Sequence, residues 1–128
     1  MDINPDNVQW CQSQGLDVRL MDIDILPFKD KEIDSINMDN VLEHILDPTE
    51  LLIDFVRVLK PGGKLLIGVP GRKGYESDPD HKVFYTRESL RSLLHKHGFY
   101  ESNSFEMPFS GLSDKLKMHC IYSTFILG

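Results

Sequence analysis

Residues 57–69 have the sequence RVLKPGGKLLIGV, which predicts a helix that ends at a tight turn and continues as a buried strand. The proline and two glycines at 61–63 terminate the helix. Residues 64–69 then form a nearly continuous apolar run, which is typical of a strand covered on both faces of a sheet. A helix followed directly by a buried strand is the repeating unit of α/β folds with parallel strands.

The alternation of helices and strands extends from this stretch in both directions. Upstream, apolar residues recur at helical spacing and define a predicted buried stripe of Leu51, Leu52, Phe55, Val56 and Leu59. The predicted helices span residues 5–14, 48–59 and 86–97. The predicted strands span residues 17–21, 33–38, 64–69, 99–105 and 118–127. This order predicts one α/β domain over residues 1–128, with a Rossmann-like, doubly wound and mostly parallel sheet.

The composition limits the partners that the chain is expected to bind. Fourteen Lys and Arg residues against twenty Asp and Glu residues give a net charge of -6, and a nucleic-acid-binding surface would need to be basic. No basic amphipathic helix, membrane-spanning segment or signal peptide is apparent, so no membrane partner is expected. Cys11 and Cys120 are too few for a disulfide scaffold, which favours a cytoplasmic location.

Three stretches, in this order and spacing, carry a resemblance to a known family: MDIDILPF at 21–28, DNVLEHI at 39–45, and residues 57–67. Together they resemble the class I S-adenosylmethionine-dependent methyltransferases, especially the subgroup called methyltransferase type 11. The resemblance is close over residues 17–70 and looser over the rest of the chain. It implies that the strand at 118–127 inserts antiparallel beside the strand at 64–69, whereas the other strands run parallel.

The resemblance implies S-adenosylmethionine as the cofactor. In an open α/β sheet, ligands lie across the carboxyl ends of the strands, where an acid can accept hydrogen bonds from a nucleoside. Asp2 is expected at the ribose hydroxyls, Asp22 at the adenine amine, and the backbone N–H of Ile23 at an adenine ring nitrogen. Asn40 is expected at the methionine portion. The alternative is that Asp2 belongs only to a helix start and Asp22 to a solvated turn.

The loop at 71–82, GRKGYESDPDHK, is expected to contribute to the acceptor site because it follows the buried strand. His81 is the predicted catalytic residue, since an imidazole accepts a proton near neutral pH. The alternative is a solvated histidine in a surface loop. Glu43 and His44 predict no metal site, because the chain has no HExxH spacing and no third ligand is apparent.

The family pattern begins with a strand and a glycine-rich loop of the E/D-x-G-x-G-x-G type, and residues 1–128 contain no such run. The chain is therefore expected to be a partial, N-terminally truncated methyltransferase domain that lacks the first, central strand. Loss of that strand would leave unpaired backbone groups in the sheet. Three outcomes stay open: the neighbouring strands close the gap, another chain supplies a strand by self-association, or the chain is an incomplete gene product.

The implied reaction is a direct displacement, in which an acceptor oxygen, nitrogen or carbon attacks the methyl group of the sulfonium. The expected acceptor is a small molecule or a saccharide-like compound. Without the glycine-rich loop, residues 1–128 are expected to position the cofactor poorly. The alternative is a non-catalytic remnant or interaction module of the same fold. A nicotinamide-dependent dehydrogenase is disfavoured, because no GxGxxG run is present.

Overall fold

The computed structural model describes residues 1–107 and 120–128 as an α/β fold. The helices are α1 (Pro5–Ser13), α2 (Thr49–Val58), α3 (Arg72–Glu76) and α4 (Arg87–Lys96), with a 3₁₀ turn at Leu42–His44. The strands are β1 (Ile33–Asp39), β2 (Leu59–Pro70), β3 (Phe99–Met107) and β4 (Cys120–Leu127). The first part of the strand predicted at 118–127 lies outside the described residues.

The strands form one mixed sheet with the order β1-β2-β4-β3. β1 and β2 are parallel, with Ser35 opposite Lys64 and Asp39 opposite Gly68. β4 lies antiparallel between β2 and β3, so β3 runs in the same direction as β2. The predicted antiparallel insertion of the C-terminal strand beside the central strand is confirmed.

The prediction that residues 17–21 form a strand of the sheet is wrong. In the structure this segment forms only an isolated parallel bridge between Asp2 and Leu20. Two backbone bonds support it, from Asp2 N–H to the Arg19 carbonyl at 3.1 Å and from Met21 N–H to the Asp2 carbonyl at 2.9 Å. The alternating pattern is real, but a strand extends only as far as a partner pairs with it. Here the described partner is the short segment around Asp2.

One apolar cluster joins the helices to the sheet. β2 contributes Leu65, Ile67 and Val69, α2 contributes Phe55, and α4 contributes Leu90 and Leu94. These side chains are completely or almost completely buried. On the opposite face of β2, Leu66 is only half-buried and Lys64 is exposed, so the described residues cover one face fully and the other in part.

The buried stripe of α2 differs from its prediction by one position. Val58 is fully buried, whereas Val56 is 36% exposed. Leu51, Leu52, Phe55 and Val58 are the buried residues of the helix, and their i, i+1, i+4, i+7 spacing places them on one helical face with Phe55 at its centre. Val56 lies off that face because it is rotated by about 100° from Phe55.

Local signals set the ends of the helices. Asn4 accepts a hydrogen bond from Asp6 N–H at 2.9 Å and so begins α1. Thr86 and Ser89 form a capping box at the start of α4. β2 begins at Leu59, earlier than the predicted strand at 64–69, so the predicted turn lies within it as an irregularity in the pairing with β1. There Gly62 has a φ of 76°, a left-handed conformation that glycine adopts without a steric penalty.

No helix among the described residues has the length and apolar character needed to cross a bilayer.

Candidate functional site

A groove with a volume of about 1210 Å³ runs along the outer side of β1. Among the described residues, β1 is an edge strand that pairs only with β2. One wall of the groove is β1 with the segment after it, and the other is the N-terminal segment with the turn after Met21. The two walls therefore do not close the groove, and one end of it lies at the carboxyl end of β1, where α/β folds bind ligands.

Asp2 lines the groove and is held in place by two donors. Its carboxylate accepts a hydrogen bond from Asn4 N–H at 2.8 Å and another from the Asn7 side-chain amide at 3.1 Å. The backbone hydrogen bond from Asn4 is the largest cause of the lowered pKa of Asp2. The carboxylate is therefore ionised near neutral pH, and it retains lone pairs that can accept hydrogen bonds from ligand hydroxyls.

Asp22 and Ile23 form a tight turn between the bridge at Leu20 and residues 26–28, the Leu-Pro-Phe segment. The Asp22 carboxylate accepts a hydrogen bond from the N–H of Ile23 at 2.9 Å. Ile23 lines the groove, and Asp22 does not. The N–H of Ile23 is predicted to bind an adenine ring nitrogen, and the Asp22 carboxylate is predicted to bind the adenine amine. In the structure these two groups are hydrogen-bonded to each other. A base that binds in the predicted manner has to replace this bond.

Asn40 ends β1 at the groove in a left-handed conformation, with a φ of 52°. Its backbone N–H donates to the Gly68 carbonyl at 3.0 Å, which continues the pairing with β2 by one residue. Its side-chain amide donates to the Asp39 carboxylate at 3.3 Å. Gly68 is required beside this turn, because a Cβ there would overlap the Asp39 carboxylate and the Tyr122 ring.

Asp54 and Arg57 of α2 hold the Leu-Pro-Phe segment against the groove. The two side chains form a paired bond, with distances of 2.6 Å from Nε to Oδ1 and 3.0 Å from Nη2 to Oδ2. Asp54 also accepts from Leu26 N–H at 2.6 Å, and Arg57 donates to the carbonyls of Leu26 at 3.1 Å and Phe28 at 2.8 Å. Sequence reasoning missed this clamp, although an acid and an arginine three apart on a helix are a recognisable pair.

A second cluster of polar side chains lies where the 3₁₀ turn meets the loop after α3. Glu43 is 1% exposed, and neither of its carboxylate oxygens has a hydrogen-bond partner among the described residues. The Nε2 atoms of His44 and His81 each lie 3.8 Å from Glu43 Oε1. The backbone carbonyl of Glu43 accepts from Lys82 N–H at 2.7 Å, which ties the loop to the turn.

The predicted site residues therefore divide between two places. Asp2, Ile23 and Asn40 line the groove, and Asp22 adjoins it through the Ile23 turn. His81 is not among the groove-lining residues, whereas His44 is. The role of His81 as a proton acceptor stays a prediction. Tyr85 is buried in the apolar core, and Tyr75 stacks on His81.

The fold brings His81 to Glu43 and His44 from a distant part of the chain. One possible ligand atom from each of the three lies within 4.8 Å of the others. His81 is therefore a possible third ligand beside Glu43 and His44, and the expectation that these two residues have none is wrong. No signal in the sequence joins these residues, because their proximity depends on how residues 71–82 pack. This segment is predicted as a loop, but it contains α3.

Comparisons with known proteins show which family the chain is similar to. The sequence model of the methyltransferase domain family matches residues 1–67. A Mycolicibacterium smegmatis protein named as a probable S-adenosylmethionine-dependent methyltransferase is 32% identical over 90 residues, which are 66% of this chain and 35% of that protein. An uncharacterized transposon protein of Streptomyces fradiae is 43% identical over 83 residues, or 62% of this chain and 24% of that protein.

The same fold occurs among solved structures. An S-adenosylmethionine-dependent methyltransferase from Aquifex aeolicus superposes with a TM-score of 0.76 at 18% identity. The match covers 98% of this chain and 66% of that one. In contrast, the chain spans between 16% and 44% of the length of the curated relatives that it matches.

Proposed function

Because this chain belongs to the class I S-adenosylmethionine-dependent methyltransferase family, we propose that the groove binds S-adenosylmethionine at the carboxyl end of β1, beside Asp2, Ile23 and Asn40, for methyl transfer to a small-molecule acceptor. One observation carries the proposal. Every residue that lines the groove lies within residues 1–67, the part of the chain that matches the family.

The groove residues fit the chemical groups of this cofactor. Asp2 presents an ionised carboxylate that can accept hydrogen bonds from the two ribose hydroxyls. Met21, Leu26 and Phe28 give the groove apolar surface of the kind that covers a nucleobase. Asn40 and Asp39 lie at the end of β1, where we place the methionine portion.

When bound, the cofactor supplies a methyl group on a sulfonium, which an acceptor lone pair displaces. The protein's part is to orient the groups and exclude water. Leu51 and Phe55 of α2 provide an apolar floor for this purpose. We expect the acceptor to be a small or saccharide-like compound, because Asp47 on the groove wall can accept hydrogen bonds from hydroxyl groups.

The alternative is a non-catalytic module of the same fold. It is favoured by the edge of β1, which pairs with no strand in the described part of the chain, and by exposed apolar side chains nearby, such as Ile3 and Leu46. Self-association across this edge stays a prediction. A cytoplasmic location is likewise proposed, in keeping with the two unpaired cysteines.

The test measures cofactor binding in a fusion that places the first strand and glycine-rich loop of a relative ahead of Met1. We expect the fusion to bind S-adenosylmethionine. Asp22→Ala should weaken binding by about 1–3 kcal/mol, or roughly 5-fold to 150-fold in Kd, because it leaves a polar group of the ligand without its hydrogen-bond acceptor. Isothermal titration calorimetry gives the constants directly.

Asp17→Ala is the matched control, since its side chain is 88% exposed and lies outside the groove lining. Equal dissociation constants for the parent and Asp22→Ala would remove Asp22 from the site. A fusion that folds but does not bind S-adenosylmethionine would favour the non-catalytic alternative.

A further inference from the structure

Glu43 is a buried carboxylate without a hydrogen-bond partner among the described residues. Its side chain is 1% exposed, and both of its oxygens lack a hydrogen bond. An ionised carboxylate is costly to bury unless a cation or several donors compensate for the lost water. The position therefore requires a compensating group that the surrounding hydrogen bonds do not supply.

The two histidines beside Glu43 direct ring nitrogens toward it. Nε2 of His44 and Nε2 of His81 each lie 3.8 Å from Oε1 of Glu43. These separations are too long for hydrogen bonds. Nitrogen and oxygen ligands at about 2.0–2.1 Å from one metal ion lie roughly 3–4 Å apart. The two Glu–His separations fall in this range, and the set of three ligand atoms, which lie within 4.8 Å of one another, has to draw together by up to about 1.5 Å around an ion.

The orientation of His81 matches that of a metal ligand. Its Nδ1 lies 2.8 Å from the carbonyl oxygen of Tyr75, so Nδ1 carries the proton and donates it. This bond leaves the lone pair of Nε2 facing Glu43. Metal-binding histidines in proteins usually hold their second nitrogen by such a bond to a carbonyl or a carboxylate. The ring is further fixed by stacking on Tyr75, with centroids 5.5 Å apart.

We propose that Glu43, His44 and His81 bind a divalent transition-metal ion of the zinc class. Two imidazoles and one carboxylate suit zinc and its neighbours, whereas magnesium and calcium prefer oxygen ligands throughout. Three protein ligands leave a coordination position for water or another oxygen. His44 also lines the groove, so the ion would lie beside the acceptor side of the proposed site.

This site does not depend on methyl transfer, since it requires only the three side chains. It does compete with the predicted role of His81 as a proton acceptor. A metal ion uses the Nε2 lone pair, and in the metal-bound protein that nitrogen cannot accept a proton. Asp78 Oδ2, at 3.7 Å from the same nitrogen, is the other carboxylate that faces His81.

The experiment titrates ZnCl₂ into metal-free residues 1–128 by calorimetry and follows the melting temperature in parallel. We expect binding of one equivalent of zinc at micromolar concentration and a higher melting temperature. MgCl₂ at the same concentration should give neither signal. Cobalt(II) should give the visible absorption of an ion bound by nitrogen and oxygen ligands.

His44→Ala is the main variant, because its side chain is 36% exposed and its loss leaves the core intact. It should lower zinc affinity at least tenfold, as should Glu43→Gln, which keeps the shape of the buried side chain. His95→Ala, in the last turn of α4 and outside the cluster, is the matched control and should bind zinc like the parent.

The proposal is overturned if the parent does not bind zinc, or if His44→Ala and His95→Ala lower the affinity equally. It is also overturned if Glu43→Gln raises the melting temperature and leaves zinc binding unchanged. That result would mean that the site holds an uncharged side chain at position 43 better than a carboxylate and has no part in metal binding.

Discussion

At the scale of single residues, Asp54 joins α2 to the segment that forms part of the groove wall. Its carboxylate accepts hydrogen bonds from Arg57 and from the backbone N–H of Leu26. The bond from Arg57 is the largest cause of the lowered pKa of Asp54. The side chain is only 13% exposed, so water screens these bonds little, and both Leu26 and Phe28 depend on them for their placement.

We expect Asp54→Ala to lower the free energy of unfolding by about 1–3 kcal/mol at neutral pH, because it leaves the Leu26 N–H and Arg57 without their acceptor. The folded pKa of Asp54 is lowered, so its contribution to stability is present above the unfolded pKa of about 3.9 and is lost as the pH falls through the folded pKa. Urea unfolding at a series of pH values from neutral to acidic measures both effects.

Asp34→Ala provides the matched control. Asp34 also forms an ion pair, with Lys60 at 2.8 Å, but its side chain is 84% exposed. Exposed pairs of this kind contribute little, so the control should change stability by less than about 1 kcal/mol. Equal losses in the two variants, or a loss in Asp54→Ala that does not shrink in acid, would contradict the role given to Asp54.

At the scale of elements, α4 depends on its capping box. Thr86 accepts a hydrogen bond from Ser89 N–H at 3.1 Å, and the Ser89 hydroxyl accepts from Thr86 N–H at 2.9 Å. These bonds satisfy backbone donors that the first turn of a helix leaves free. The cap also fixes where the buried pair Leu90 and Leu94 begins on the helix.

Thr86→Ala should destabilise the protein by about 1 kcal/mol, within the range of roughly 0.5–2 kcal/mol for lost caps. Thr86→Ser keeps the hydroxyl and should stay close to the parent. Chemical denaturation with circular dichroism compares the three proteins. A serine variant as unstable as the alanine variant would show that the methyl group, and not the cap, stabilises this end of α4.

At the scale of the whole molecule, the groove is open along the edge of β1 that no described strand pairs with. The described contacts available to a cofactor come from the two walls beside that edge, and residues 1–128 contain no glycine-rich run of the family type. Affinity arises when many contacts together exceed the fixed cost of immobilising the ligand. We therefore predict that residues 1–128 alone do not bind S-adenosylmethionine tightly.

A thermal-shift titration tests this prediction, because a ligand that binds only the folded state raises the melting temperature. We expect no shift at micromolar S-adenosylmethionine and at most a small shift at millimolar concentration. Adenosine, which lacks the methionine portion, serves as the control for the nucleoside contacts. A clear shift at micromolar cofactor would mean that the groove walls alone supply the contacts.

The amino-acid sequence by itself determined the features that depend on neighbours along the chain. The ends of α1 and α4, the buried run of β2 and the turn through Gly62 follow from caps, apolar spacing and glycine. Each of these arises from interactions within a few residues, so a local pattern is sufficient to predict it. The antiparallel place of β4 came from the family resemblance, not from local pattern.

Only the tertiary structure decided which distant residues meet. The segment at 17–21 has an alternating pattern but is no strand of the sheet, because strand pairing requires a partner that the local sequence does not specify. Likewise, Glu43 and His81 come together only after the loop at 71–82 packs against the 3₁₀ turn. Burial of the Glu43 carboxylate is a property of that packing, and the proposed metal site follows from it.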